Sequence, residues 1–202
     1  VYTSYHTRPR IDRLTALDVL RQGRKRIFLL NEEAFGYLEN VALSKAAREV
    51  LPKWRSEKVW EEAAFVKRLD QALPNLNIQQ RTAILGAAAA AAYHAEKGVP
   101  IVDTLVCDDA AVFHWLTRTT MLCWVHDGRA YKKLEPVIAL HRQQLEEFRK
   151  RYWDYYDQLL AYRDKPTVKE RKRLEGQFDI LFATETGYHD LDQRIAKTRA
   201  KK

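Results

Sequence analysis

Between His141 and Arg163 the apolar residues Leu145, Phe148, Tyr152, Tyr155, Leu159 and Tyr162 recur at alternating spacings of three and four. Such spacing keeps one stripe on one side of an α-helix, and a stripe of that length has to be covered by a second helix. The partner follows directly. Lys165 and Pro166 make a turn, Thr167 and Glu170 have the spacing of a capping box, and Leu174, Phe178, Leu181 and Phe182 supply the facing apolar surface. A helical hairpin is therefore expected, placed as an insertion over residues 137–190. Its first helix also carries Arg149, Lys150, Arg151, Trp153, Tyr155 and Tyr156, which suit stacking on bases or gripping phosphates. The plainer assignment, which we prefer, makes those aromatics hairpin core and the charges its wet face.

Upstream, VYTSYHT over Val1–Thr7 alternates aromatic or β-branched with small polar residues and reads as a strand ended by Pro9. Asp12 to Leu20 gives a short helix through Leu14, Leu17 and Leu20, stopped at Gly23, and Arg26 to Leu30 is extended. Residues 31–98 read as almost wholly helical. Ser44 is a cap, a helix over Glu57–Leu73 carries Val59, Trp60, Ala63, Val66 and Leu69, and Pro74 breaks it. Asn77 caps the next helix, Ile78–Glu96, whose centre from Ala87 to Ala92 has no bulky side chain, so another element can come close to its backbone.

A strand over Ile101–Cys107 then runs into two carboxylates, Asp108 and Asp109, followed by a short helix from Ala110 to about Leu116 and a strand over Met121–Val125 that exits at His126. Gly128 opens a further helix, ended near Pro136. Strand, helix and strand in this order predict an α/β sheet with buried strands. Asp108, at the carboxyl end of a strand, is a candidate ligand for a hard divalent cation, with Asp109 its rival. The alternative is that Asp109 caps the helix at Ala110 and Asp108 is a turn residue. A single strand-end Asp does not hold a metal pair. Cys123 and His126 form a C-x-x-H pair, but an apolar strand is a poor site for a reactive thiol, and zinc would need Cys107 and His114 as unconvincing further ligands. His126 suits contact with a phosphate, a catalytic carboxylate or a loop carbonyl.

Charge turns attention to partners. Lys and Arg outnumber Asp and Glu by 35 to 27, a net charge of +8, which favours a polyanionic partner such as DNA. The segment from Leu191 to Lys202 carries Arg194, Lys197, Arg199, Lys201 and Lys202 with no acid after Asp192, the start of a basic helix that suits phosphate contact or an ordinary solvated helix end. Two cysteines exclude a disulfide framework and suit a reducing, cytoplasmic setting. Ala83 to Tyr93, the longest apolar run, falls far short of the roughly 20 residues that span a bilayer, so no membrane partner is expected.

VYTSYHT at the entry, LVCDDAAVF at one strand end, LCWVHDGRAYKKLEP at the next, the helical insertion and RIAKTRAKK together resemble the DDE transposases of bacterial insertion sequences, most closely the insertion-sequence sixty-six group. The resemblance covers essentially the whole chain. It implies a partial RNase H-like fold, a mixed sheet with flanking helices, over residues 1–136, interrupted by the helical region 31–98 and followed by a large all-helical insertion over 137–190, with 191–202 leading into a basic helix; the whole is helix-dominated. It also implies a bacterial enzyme in which two Asp and one Glu hold two Mg²⁺ or Mn²⁺ ions for DNA cleavage and strand transfer. Asp108 matches the second acid, Phe113 the aromatic of the following helix, and Cys123, Trp124 and His126 the CWxH of the next strand, with His126 the active-site neighbour. Arg129, Lys132, Lys133, Arg194, Lys197 and Arg199 are the expected DNA contacts, and the expected partners are transposon ends and target DNA, with a second copy or a full-length transposase. The family's first Asp would lie before Val1 and its Glu beyond Lys202, so the 202-residue chain is expected to be inactive alone. Two other readings stand beside this one: a non-catalytic basic DNA-binding or interaction module, and an unrelated helical protein whose Asp pair is only a cap.

Overall fold

The computed structural model describes residues 12–98 and 100–201; the expected strand over Val1–Thr7 lies outside them. Helix dominates, with small two-stranded sheets. The chain divides into two compact units, Val1–Met121 and Leu122–Lys202.

The first unit is assembled around a helix poor in side chain. α1 (Arg13–Leu20) is capped by Asp12, β1 (Ile27–Phe28) follows, and α2 (Glu32–Leu38) and α3 (Lys45–Val50) are capped by Asn31 and Ser44. A 3₁₀ turn over Leu51–Trp54 leads to β2 (Trp60–Glu61), α4 (Glu62–Ala72) and α5 (Ile78–Ala95), whose cap is the expected Asn77. Ala87 through Ala92 are buried, and the amide of Leu29 donates to the carbonyl of Ala88 at 2.9 Å. The alanine run thus lets the chain after β1 reach the helix backbone itself, the close approach expected from sequence. Phe28 on β1 stacks on Phe65 of α4 at 4.8 Å between ring centroids.

Several expected elements differ. The helix expected from Glu57 begins only at Glu62, because Trp60 and Glu61 pair antiparallel with Phe28 and Ile27; its buried face is Phe65 and Leu69, while Val59 is exposed. The expected helix after the Asp pair is a single 3₁₀ turn, Ala111–Phe113, whose N-cap residue is Ala110. Instead Asp108 Oδ1 accepts from the Ala110 amide at 3.1 Å, a local Asx-type turn that competes with helix formation. The strands here are β3 (Thr104–Cys107) and β4 (Thr119–Leu122), paired with each other. Val106 and Met121 are exposed, so the expected buried strands are replaced by a ribbon with one solvated face.

β4 stops at Leu122, and α6 (Trp124–Lys132) begins where the strand was expected to continue, leaving Gly128 inside this helix rather than at its start. The cause is Trp124. Its indole lies among Tyr152, Tyr155, Phe178 and Phe182 of the hairpin, a burial that a helical first turn provides. The hairpin itself is as expected: α7 (Ala139–Asp164) packs on α8 (Val168–Phe182) through Leu145, Phe148, Tyr152 and Tyr155 against Leu174, Phe178, Leu181 and Phe182. Thr167 makes only its half of the capping box, accepting from the Glu170 amide at 3.2 Å, while the Glu170 carboxylate pairs with Arg173. The hairpin does not stand apart, since α6 and α9 (His189–Arg199) share its core through Tyr131, Leu191 and Ile195.

Gly128 is what allows α6 to lie against α7. A Cβ there would stand 2.7 Å from Trp153 Cζ2 and 2.9 Å from Tyr152 Cε1, both atoms of packed rings. Gly176 on α8, by contrast, has open space around it. In an open helix interior Gly→Ala stabilises by about 0.5–1 kcal/mol, whereas overpacking costs about 1–3 kcal/mol. Gly176→Ala is therefore expected to raise the urea midpoint of the chain and Gly128→Ala to lower it; equal shifts of the same sign would contradict the packing described.

Candidate functional site

Asp108 ends β3 and is half-buried, with Oδ1 held by the Ala110 amide; Asp109 beside it is exposed. His126 lies in the other unit, exposed on the first turn of α6 rather than at a strand exit. The C-x-x-H spacing therefore has a different geometry from the one expected, because Cys123 is the N-cap residue of α6 and His126 lies one helical turn on. Neither Cys107 nor Cys123 forms a disulfide.

Among the described residues no group of three or more His, Cys, Asp or Glu is placed to hold a metal ion.

The expected DNA contacts separate into two kinds. Arg129, Lys132 and Lys133 are exposed at the end of α6, as are Lys197 and Arg199 in the last turn of α9. Arg194 turns inward and forms an ion pair with Asp127, the side chains being only 20% and 14% exposed. Asp127 Oδ2 also faces the hydroxyls of Thr198 at 3.0 Å and Tyr152 at 3.1 Å, and the Thr198 hydroxyl meets that of Tyr131 at 2.6 Å. Burial, reinforced by the Asp127 charge, raises the Tyr152 hydroxyl well above the ordinary phenol range, and burial does the same for Tyr131, so both remain protonated donors.

Asp127 was the residue missed from sequence. In a loop after a strand it would have no partner in view. Once residues 124–132 are helical, Asp127 and Tyr131 are four apart on one face, which is the signal that would have found the pair. Of the α7 aromatics, Tyr152 and Tyr155 are buried core and Trp153 packs over Gly128, which favours the core assignment over base stacking.

No family model matches the chain, and no solved structure matches it. Among curated proteins it is similar to the uncharacterized protein y4jO of Sinorhizobium fredii (strain NBRC 101917 / NGR234), with 28% identity over 203 aligned positions. The match takes in 100% of this chain and 62% of the relative. The chain therefore spans less than two thirds of that protein's length. No helix among the described residues is long and apolar enough to cross a membrane.

Proposed function

We propose that the chain is part of the catalytic region of a DDE-type transposase of the insertion-sequence sixty-six-like group, a protein that cleaves and joins DNA. In this reading the first unit is a partial RNase H-like fold, β3 has the role of the strand that presents the second catalytic acid, and Asp108 is that acid. The observation that carries the reading is the half-buried Asp108 carboxylate at the strand's carboxyl end, anchored by the Ala110 amide. The exposed cations Arg129, Lys132, Lys133, Lys197 and Arg199 are assigned to DNA phosphates. Arg194 is assigned to holding α9 through Asp127. His126, exposed on α6, is assigned to substrate positioning.

A second reading, a non-catalytic DNA-binding module of transposase descent, rests on the net charge of +8 and the same exposed cations and gives Asp108 no role. One experiment separates the two. DNA binding is titrated against salt for the 202-residue chain, and Mg²⁺-dependent nicking of a supercoiled plasmid is measured for the complete reading frame that carries it. Both readings expect log affinity to fall steeply with log salt, and neutralising Lys132, Lys133, Lys197 or Arg199 to reduce that slope by about one unit each. The transposase reading expects nicking that EDTA abolishes. Binding without nicking would overturn it in favour of the module, and no binding at low salt would overturn both.

A further inference from the structure

The backbone that follows Asp108 is gripped from three sides. On α1, the Arg13 guanidinium donates from Nη2 to the carbonyl of Ala111 at 2.7 Å and from Nε to the carbonyl of His114 at 2.8 Å. The same group lies 4.0 Å from the centroid of the Trp115 ring, which also stacks on Tyr37 of α2 at 5.3 Å. Arg13 can lie there because α5 has a glycine beneath it: a Cβ on Gly86 would stand 3.0 Å from Arg13 Nη1 and 3.1 Å from its Cδ.

The third contact is a buried histidine. His94 of α5 places Nε2 3.1 Å from the carbonyl of Leu116 and Nδ1 2.7 Å from Glu33 Oε1, which also accepts from the Tyr37 hydroxyl at 2.7 Å. Carbonyl and carboxylate oxygens only accept, so Nε2–H is directed at the Leu116 carbonyl and Nδ1–H at the Glu33 carboxylate, and the two contacts together fix the ring's orientation. Between these grips Trp115 has φ +70°, a left-handed conformation that a bulky side chain holds only when its surroundings over-determine it.

Arg13, Tyr37 and His94 lie outside β3. All of them converge on carbonyls or rings between Ala111 and Leu116, immediately after the turn in which Asp108 accepts from Ala110 and the Ala110 carbonyl accepts from the Phe113 amide. We propose that Arg13 and His94 are positioning residues that lock the 110–116 loop in one conformation and so fix the Asp108 carboxylate; the use of that carboxylate on DNA rests on the function proposed above.

Hydrogen–deuterium exchange on the whole 202-residue chain tests the clamp without reference to activity. Arg13→Gln and His94→Leu are each expected to speed exchange of the amides over residues 110–119 by roughly ten- to a hundred-fold, the loss of a hydrogen bond to a charged or buried group, with the amides of α7 and α8 unchanged. His94→Gln, which keeps an N–H donor for Leu116, is expected to recover most of the protection. Arg13 is half-buried and its substitution leaves the core intact, so it carries the test if His94→Leu fails to fold. Unchanged exchange in Arg13→Gln would overturn the clamp, and no recovery in His94→Gln would overturn the role given to His94. In the complete reading frame, Arg13→Gln is expected to lower kcat for Mg²⁺-dependent nicking at unchanged KM for DNA. Faster exchange in a protein that never nicks DNA would leave the clamp standing and overturn the proposed function.

Discussion

Replacing Asp127 by Ala is expected to cost the second unit about 3–5 kcal/mol, the usual consequence of removing one partner from a largely desolvated ion pair. Arg194, 20% exposed, would keep its charge with no carboxylate to meet it, and Tyr152 and Thr198 would lose an acceptor at the same time. The size of the effect comes from the charge left behind more than from the value of the pair. For that reason Asp127→Asn combined with Arg194→Met, which removes both charges and keeps the volumes, is expected to be much less destabilised than Asp127→Ala alone. Urea unfolding of the three proteins, followed by far-UV circular dichroism, checks the order. A loss below about 1 kcal/mol for Asp127→Ala would mean that the pair behaves as an exposed one.

In the first unit the corresponding weak point is Ala88, which is fully buried and whose carbonyl receives the Leu29 amide. Ala88→Leu would add three carbons where backbone already meets backbone, and neither chain can retreat without giving up that hydrogen bond. About 3 kcal/mol or more is expected, at the upper end of overpacking in well-filled cores. Thr82→Leu, at an exposed position on the same helix, is expected to stay within about 0.5 kcal/mol. Thermal unfolding distinguishes them, and equal melting temperatures would contradict the close approach of the chain to α5.

The sequence was most legible where one period governed a long stretch. The seam from Leu145 to Tyr162 and the alanine run of α5 each announced what had to lie against them, because a helix face repeats its requirement every turn. The side-chain caps at Ser44, Asn77 and Thr167 were legible for a related reason, since a short polar side chain placed before a helix has few other uses. Short apolar runs were not legible. LCWV has strand-like residues, yet its fate was decided by a cavity among hairpin aromatics far away in sequence, so Trp124 entered a helix and took His126 and Asp127 with it. Asp108 was legible as a candidate by its place after an apolar run. The grip on its loop was not, because Arg13, Glu33 and His94 lie 14 or more residues upstream of it and nothing local in the sequence links them.

In the proposed function Asp108, and not its neighbour, is the acid that acts on DNA. The direct test is Mg²⁺-dependent plasmid nicking by the complete reading frame carrying either Asp108→Asn or Asp109→Asn. Asp108→Asn is expected to lower the nicking rate by about a hundredfold or more, the scale of losing a metal-ligand group, while Asp109→Asn leaves it intact. Activity that survives Asp108→Asn and disappears with Asp109→Asn would contradict it.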